Sequence, residues 1–289
     1  MVPPMSVDAR LSTGIEPPAP SPPADAGIRW WVEGLITLVF YVVYSAIRNQ
    51  FGSAIGGDIL ERSFENALTI IDIEQALGLY HEEWIQARFI DFDAFIVFWN
   101  GFYGSFHFGV TIFAMVWLFL KFPQRYIFMR STLAATTGVA LIGFAYFPLM
   151  PPRLLSACEP DSAYGACAPE HDYIDTLVDP GGLWNFENGP MESISNQYAA
   201  MPSLHIAWAA WCAVGLYPVL RQRWARVAIV SYPFVTLFAI IVTANHYWFD
   251  AIGGLAALSV GLLLARPVSR LLPGRVRHLE DPAGTLNAG

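Results

Sequence analysis

The sequence predicts an all-α fold: a polytopic membrane protein built as a six-transmembrane-helix bundle with short interfacial helices. Three observations predict it. Of 289 residues, 55% are hydrophobic and only 14% are charged, where an average soluble domain carries roughly 25% charged residues. The apolar residues gather in six runs, each close to the ~20 residues a spanning helix needs. Tryptophans at 30, 31, 84, 99, 184 and 248 fall near the ends of those runs, as interfacial tryptophans do.

Taken in order, residues 1–28 are rich in Pro, Ala and Ser and carry no apolar period, so they read as a disordered tail. The spans are expected near Trp30–Ile47, Ala94–Leu120, Ser131–Phe147, Met201–Tyr217, Val227–Thr243 and Phe249–Ala265, within one membrane domain over 29–267. Residues 268–289 form a second tail. Between the first two spans, Ile59, Leu60, Phe64, Leu68 and Ile71 oppose Glu61, Glu65 and Asp72, a pattern for short amphipathic helices on the membrane surface.

Charge sets the orientation. The two tails and the turns 121–130 and 221–226 hold twelve of the sixteen Lys and Arg residues, while the remaining loops hold eighteen of the twenty-four acids, counting Asp250. The positive-inside rule then puts both termini in the cytoplasm and the loops 48–93, 148–200 and 244–248 outside. A single lysine against fifteen arginines points to a bacterial source and so to its plasma membrane. The net charge of -8 speaks against nucleic acid as a partner. Cys212 lies in an apolar run and reads as a buried thiol. Cys158 and Cys167 bracket a polar loop on the oxidising side and are disulfide candidates.

Three segments carry chemistry. The third span ends in Pro148, Pro151 and Pro152, which stop a helix, and then Arg153, whose guanidinium suits phosphate. In Met201-Pro202-Ser203-Leu204-His205, Pro202 suits a first helical turn, and Ser203 with the free amides of that turn suits an anion. In Asn245-His246-Tyr247-Trp248-Phe249-Asp250, the aspartate follows its histidine at helical spacing and would hold one imidazole nitrogen. A carboxylate inside an apolar segment is expensive and usually functional. A zinc site from His205, His246 and Asp250 is the competing reading. His107, in the second span, is either a core histidine or a residue lining the site.

These segments resemble the three signature motifs of the type 2 phosphatidic acid phosphatase superfamily: Arg153 closes the first, Pro202 to His205 match the second, and His246 with Asp250 match the third. Leu204 where glycine is usual, the lead-in from Tyr198, Asn245 before the third-motif histidine, Asp175-Thr176-Leu177, and the Asn100, Tyr103 and His107 pattern resemble the inositol phosphorylceramide synthase-like branch. Two superfamily cations are replaced here, by Tyr146 and Ile240.

The resemblance implies phosphoryl transfer without metal or organic cofactor. His246 would attack phosphorus, oriented by Asp250, and His205 would serve as general acid. Arg153, Ser203, Leu204, Tyr198, Asn245 and His107 are the expected substrate-binding residues. The substrate would be a phospholipid or polyprenyl phosphate in the bilayer, with a lipid or sugar alcohol, or water, as acceptor. A phosphatase, or a non-catalytic transporter or assembly protein, are the alternatives.

Overall fold

The computed structural model describes residues 31–36, 38, 39, 42, 57–156, 167, 168, 170–181 and 198–271. Regular structure among these is helical: α1 Gly57–Ala76, α2 Glu82–Phe89, α3 Asp93–Lys121, α4 Pro123–Tyr146, α5 Leu204–Leu216, α6 Arg223–Val242 and α7 Trp248–Leu271. Part of the first apolar run is also helical, over 31–36, 38, 39 and 42. There Glu33 pairs with Arg130 and accepts the Tyr126 hydroxyl at 3.0 Å, which ties the run to the start of α4.

Four of these helices are long and apolar enough to cross a membrane: α3, α4, α6 and Trp248–Pro267 of α7. The expected span at 201–217 is a helix of only 13 residues. It packs against all four long helices. A helix enclosed in this way keeps its backbone paired among protein neighbours, so its length need not match the bilayer. Half of the first expected span lies outside the described residues, as do the tail 1–28, Trp30 and Trp184. Helix α7 runs on to Leu271, past the expected end of the domain at 267.

Local chemistry explains other departures. The basic turn expected at 121–130 is mostly helix, because Pro123 opens α4 and Phe122 alone separates it from α3. Proline is well suited to a first helical position. Pro202 does not begin a helix as expected: Ser203 is the N-cap of α5 and Pro202 precedes it. Helix α1 has 20 residues and is longer than the short interfacial helix expected. Its Ala67, Ile70 and Ile71 join Leu149, Met150, Leu154, Tyr173 and Tyr247 in a core, and Glu61, Glu65 and Asp72 face outward. Trp84 is exposed, whereas Trp99 packs among Phe95, Phe102 and Phe238.

Helices α4 and α7 form the most extensive pair in the bundle, and glycine permits their approach and that of α5. A Cβ on Gly254 would meet the Ser203 carbonyl oxygen, and one on Gly261 would meet Thr136. Small residues at crossings let apolar helices pack backbone to backbone. Gly254 therefore brings the start of α7 against the start of α5, where the two histidine motifs begin. Cys212 is a buried thiol. Cys167 is disulfide-bonded, and Cys158 lies outside the described residues.

Candidate active site

The third motif starts where α6 stops. Thr243 is its C-cap, and Ala244 takes a left-handed conformation with φ 50°. The Ala244 amide donates to Ile241 O at 2.9 Å and the Asn245 amide to Ile240 O at 2.9 Å. This is a Schellman ending, with alanine where glycine is usual. The chain then passes through His246 and Tyr247 and enters α7 at Trp248. His246 and Asp250 therefore do not share a helix face, as the spacing predicts. The histidine lies before the helix and the aspartate is in its first turn.

Asp250 Oδ2 accepts the Tyr247 amide at 3.0 Å and meets His246 Nδ1 at 3.1 Å. The carboxylate caps α7 and holds the imidazole with one oxygen. Its other oxygen, Oδ1, is buried without a hydrogen-bond partner. With Nδ1 held as the proton-bearing nitrogen, the lone pair of His246 sits on Nε2. That nitrogen faces His205 Nδ1 at 3.3 Å.

His205 lies in the first turn of α5, its ring between two side chains of α3. Tyr103 stacks on it with centroids 4.4 Å apart, and His107 lies at 4.2 Å. His107 Nδ1 is bonded to the Tyr103 carbonyl at 3.0 Å. His107 is thus buried, as a core histidine would be, and also adjacent to the facing pair.

Ser203 ties the second motif to the third: its amide donates to the Asp250 carbonyl at 2.9 Å. Its hydroxyl is fully buried, makes no capping bond and has no partner. The first amides of α5 also lack intrahelical acceptors, as at any helix start. Leu204 opens the helix but packs against Ala140, Leu141 and Phe144 of α4.

Arg153 is not the surface cation that its loop position predicts; only 5% of it is exposed. It lies in a 3-10 turn, Pro152–Leu154. Its amide donates to Ala244 O at 2.8 Å, its Nε donates to Asn245 Oδ1 at 3.1 Å, and its NH1 pairs with Asp175. The chain before it is held from two sides. Asn66 donates to Pro148 O at 2.8 Å, and Tyr247 Oη donates to Met150 O at 3.1 Å. Tyr198 is buried in the same core, where its carbonyl accepts the Leu149 amide at 2.8 Å.

Several residues absent from the expected site support it. Asp175 Oδ1 also accepts the Leu177 amide at 3.0 Å, which fixes the carboxylate that faces Arg153. Thr176 Oγ1 lies 3.1 Å from both Thr243 O and Asn100 Oδ1, the two acceptors within reach of its single proton. Glu74 and Glu82 lie fully buried beside the start of α7. Asp175 and Asn100 had a signal, since both belong to the branch-like patterns. Glu74 and Glu82 had none, because an acid in an amphipathic helix ordinarily faces water. Of the two positions where superfamily cations are replaced, Tyr146 is 80% exposed and Ile240 is fully buried.

Fold and site together define a class: a helical integral membrane protein with facing histidines, a carboxylate and an arginine gathered at one end of its bundle. The chain belongs to the PAP2 superfamily, whose family model matches residues 68–264. Members are generally phosphatases, so the function is of phosphatase or phosphotransferase type. No curated protein and no solved structure matches the chain.

Proposed function

We propose that the chain is a membrane-embedded phosphoryl-transfer enzyme acting on a lipid phosphodiester, with a phosphohistidine intermediate on His246. One observation carries the reading. His246 has Nδ1 bound to a fully buried aspartate, and its Nε2 faces a second histidine. A nucleophilic imidazole needs such an orienting carboxylate.

In the mechanism, Nε2 attacks phosphorus while Asp250 stabilises the charge that develops on the ring. The phosphate enters between His246 and His205, and the 3.3 Å contact opens to admit it. His205 meets Tyr103, His107 and His246, none of them anionic, so the arriving phosphate is what favours a proton on it. His205 then gives that proton to the leaving oxygen. Arg153, the Ser203 hydroxyl and the first amides of α5 hold the phosphate oxygens. Asn245 orients Arg153. His107 and Tyr103 hold His205 in place, while Leu204 and Tyr198 shape the surroundings through packing. An alcohol or water then attacks the phosphohistidine and His205 accepts its proton. No cofactor enters the scheme.

The charge count favours a diester. Tyr146 and Ile240 carry no charge, and Asp175 already opposes the charge of Arg153. A site with little net positive charge suits a phosphodiester monoanion better than a monoester dianion. This supports an inositolphosphotransferase-like activity, with a lipid or sugar alcohol as acceptor. The alternative is a lipid or polyprenyl phosphate phosphatase, which the general habit of the superfamily favours.

The topology we infer has six spans, both termini in the cytoplasm of a bacterium and the site outside its plasma membrane. One structural feature supports it. Arg125 donates to Gly215 O at 2.7 Å, which gathers the basic α3–α4 and α5–α6 turns at one end of the bundle.

The test compares initial rates on phosphatidylinositol and phosphatidate at matched surface concentration, with and without lipid alcohols, with products read by mass spectrometry. The transferase reading expects a transfer product from the diester. Faster phosphate release from phosphatidate, with no transfer product from any diester, rejects it in favour of the phosphatase.

A further inference from the structure

The last helix begins with an unusual set of caps. Three consecutive amides, those of Tyr247, Trp248 and Phe249, are each accepted by a different carboxylate. Tyr247 donates to Asp250 at 3.0 Å, Trp248 to Glu82 Oε1 at 3.1 Å, and Phe249 to Glu74 Oε1 at 2.7 Å. Asp250 is local, three residues from its donor. Glu74 comes from the last turns of α1 and Glu82 from the first residue of α2. Both are fully buried. Two acids with no basic partner among the described residues are costly to bury, so a compensating arrangement is required.

The hydrogen bonds identify it. Each oxygen of Glu82 accepts an amide: Oε1 takes that of Trp248, and Oε2 takes that of His81 at 2.9 Å, each oxygen keeping a second lone pair. Glu74 differs. Its Oε1 takes the Phe249 amide, and its Oε2 is buried with no donor facing it. The two carboxyls accept the amides of adjacent residues, Trp248 and Phe249, so they lie side by side at the helix start. A single proton on Glu74 Oε2, donated to Glu82, satisfies every oxygen and leaves one negative charge. That charge lies at the positive end of a helix, where it is favoured.

We propose that Glu74 and Glu82 are positioning residues: a proton-sharing acid pair that holds the first turn of α7 and so sets His246 and Asp250 for reaction. The proposal rests on the phosphohistidine reading for its effect on turnover. Burial, together with the Glu82 carboxylate, raises the Glu74 pKa to about 10, consistent with Glu74 as the proton carrier. Neither residue is hydrogen-bonded to the imidazoles. They act on the amides of Trp248 and Phe249, which lie between His246 and Asp250 in the chain.

The arrangement makes an asymmetric prediction. Glutamine reproduces a protonated glutamate, so Glu74→Gln keeps both bonds: its oxygen accepts Phe249 and its NH2 donates to Glu82. Glu82→Gln cannot do the same, because both oxygens of Glu82 accept amides and an NH2 group would face an N–H. Glu74→Leu removes the pair. The experiment measures kcat and KM for these variants of the full-length protein in detergent. It also records the low-field Nδ1–H resonance of His246 in 15N-histidine-labelled protein, assigned by its loss in Asp250→Asn.

We expect Glu74→Gln to retain kcat and the resonance. Glu82→Gln and Glu74→Leu should lose kcat by about 10- to 100-fold, the effect of a sub-ångström to 1 Å misplacement, with KM little changed and the resonance shifted or lost. Equal tolerance of Glu74→Gln and Glu82→Gln would overturn the proposal, as would Glu74→Leu with wild-type kcat and resonance. If Glu74→Leu does not fold, the two glutamine variants decide. If wild type turns over no phospholipid, the reaction reading fails and the resonance alone still tests the acid pair.

Discussion

In the proposed mechanism the chemistry depends on His246, whose Nε2 is left to attack because Asp250 holds Nδ1. His246→Ala should lower kcat by ~10⁴-fold or more, and Asp250→Asn by ~10²–10⁴-fold, as losses of a nucleophile and its orienting acid do. Turnover and thermal stability measured together check this, and wild-type kcat in folded His246→Ala would exclude the mechanism. Arg153 has a different dependence. A charged hydrogen bond to phosphate contributes roughly 1.5–3 kcal/mol, so Arg153→Ala should lower kcat/KM by about one to two orders of magnitude. Its partner Asp175 tests the charge argument for a diester. Asp175→Asn keeps an acceptor near Arg153 and removes a negative charge. It should move the phosphatidate-to-phosphatidylinositol ratio of kcat/KM toward the dianion by roughly 5- to 30-fold, the effect of 1–2 kcal/mol. An unchanged ratio would mean that Asp175 positions Arg153 without tuning its charge.

At the scale of elements, the close approach of α5 and α7 is sensitive to a single methyl group. A Cβ at Gly254 meets the backbone of Ser203, which cannot yield as a side chain end can, whereas one at Gly253 lies 3.2 Å from the Pro202 ring. Gly254→Ala should therefore cost about 1–3 kcal/mol, as overpacking does, and Gly253→Ala less. Melting temperatures of the two variants in one detergent decide it. The loop that carries Asp175 has its own pH dependence. Asp172 N donates to Glu83 Oε1 at 3.2 Å, Tyr80 donates to Oε2 at 2.9 Å, and His171 lies at 3.3 Å from the same oxygen. Burial alone would raise the Glu83 pKa, but these three partners outweigh it and hold the pKa below its ordinary value of 4.5. The folded pKa is depressed, so the stabilisation is present above the unfolded value and is lost as pH falls through the folded one. Hydrogen exchange at Asp172 and Ile174 should report loosening in that acid range. Glu83→Gln should remove most of the pH dependence.

For the whole molecule, the distribution of charge sets the orientation in the bilayer. A cysteine at Trp84, which is exposed on α2, should react with an impermeant thiol reagent outside intact cells, and one at exposed Gln222 should not. The native Cys212 is buried and Cys167 is disulfide-bonded, so neither competes. The reverse pattern would invert the protein and move its substrate to the cytoplasmic leaflet. The bundle also explains how a 13-residue helix serves among longer ones. Packed against α3, α4, α6 and α7, α5 begins inside the protein at the buried Ser203, so its N-terminus is available to the proposed site, and it ends at the exposed Tyr217.

The sequence by itself determined the class of fold, a helical membrane protein, and supplied the residues proposed for the site. Long apolar runs force helices in a bilayer, because every backbone group must pair within its own segment. A histidine, a carboxylate and an arginine at the edges of such runs are too costly to be incidental. How they meet was decided by tertiary structure. His246 and Asp250 join across the start of α7 and not along one helix face, because α6 ends in a left-handed alanine that sets the entry of the next helix. Arg153 is buried against Asp175, a residue 22 positions away, and Glu74 and Glu82 cap a helix more than 160 residues downstream. Amphipathic periodicity places an acid on a helix face. Only packing shows whether that face meets water or the amides of another helix, since burial and pairing are properties of the assembled chain.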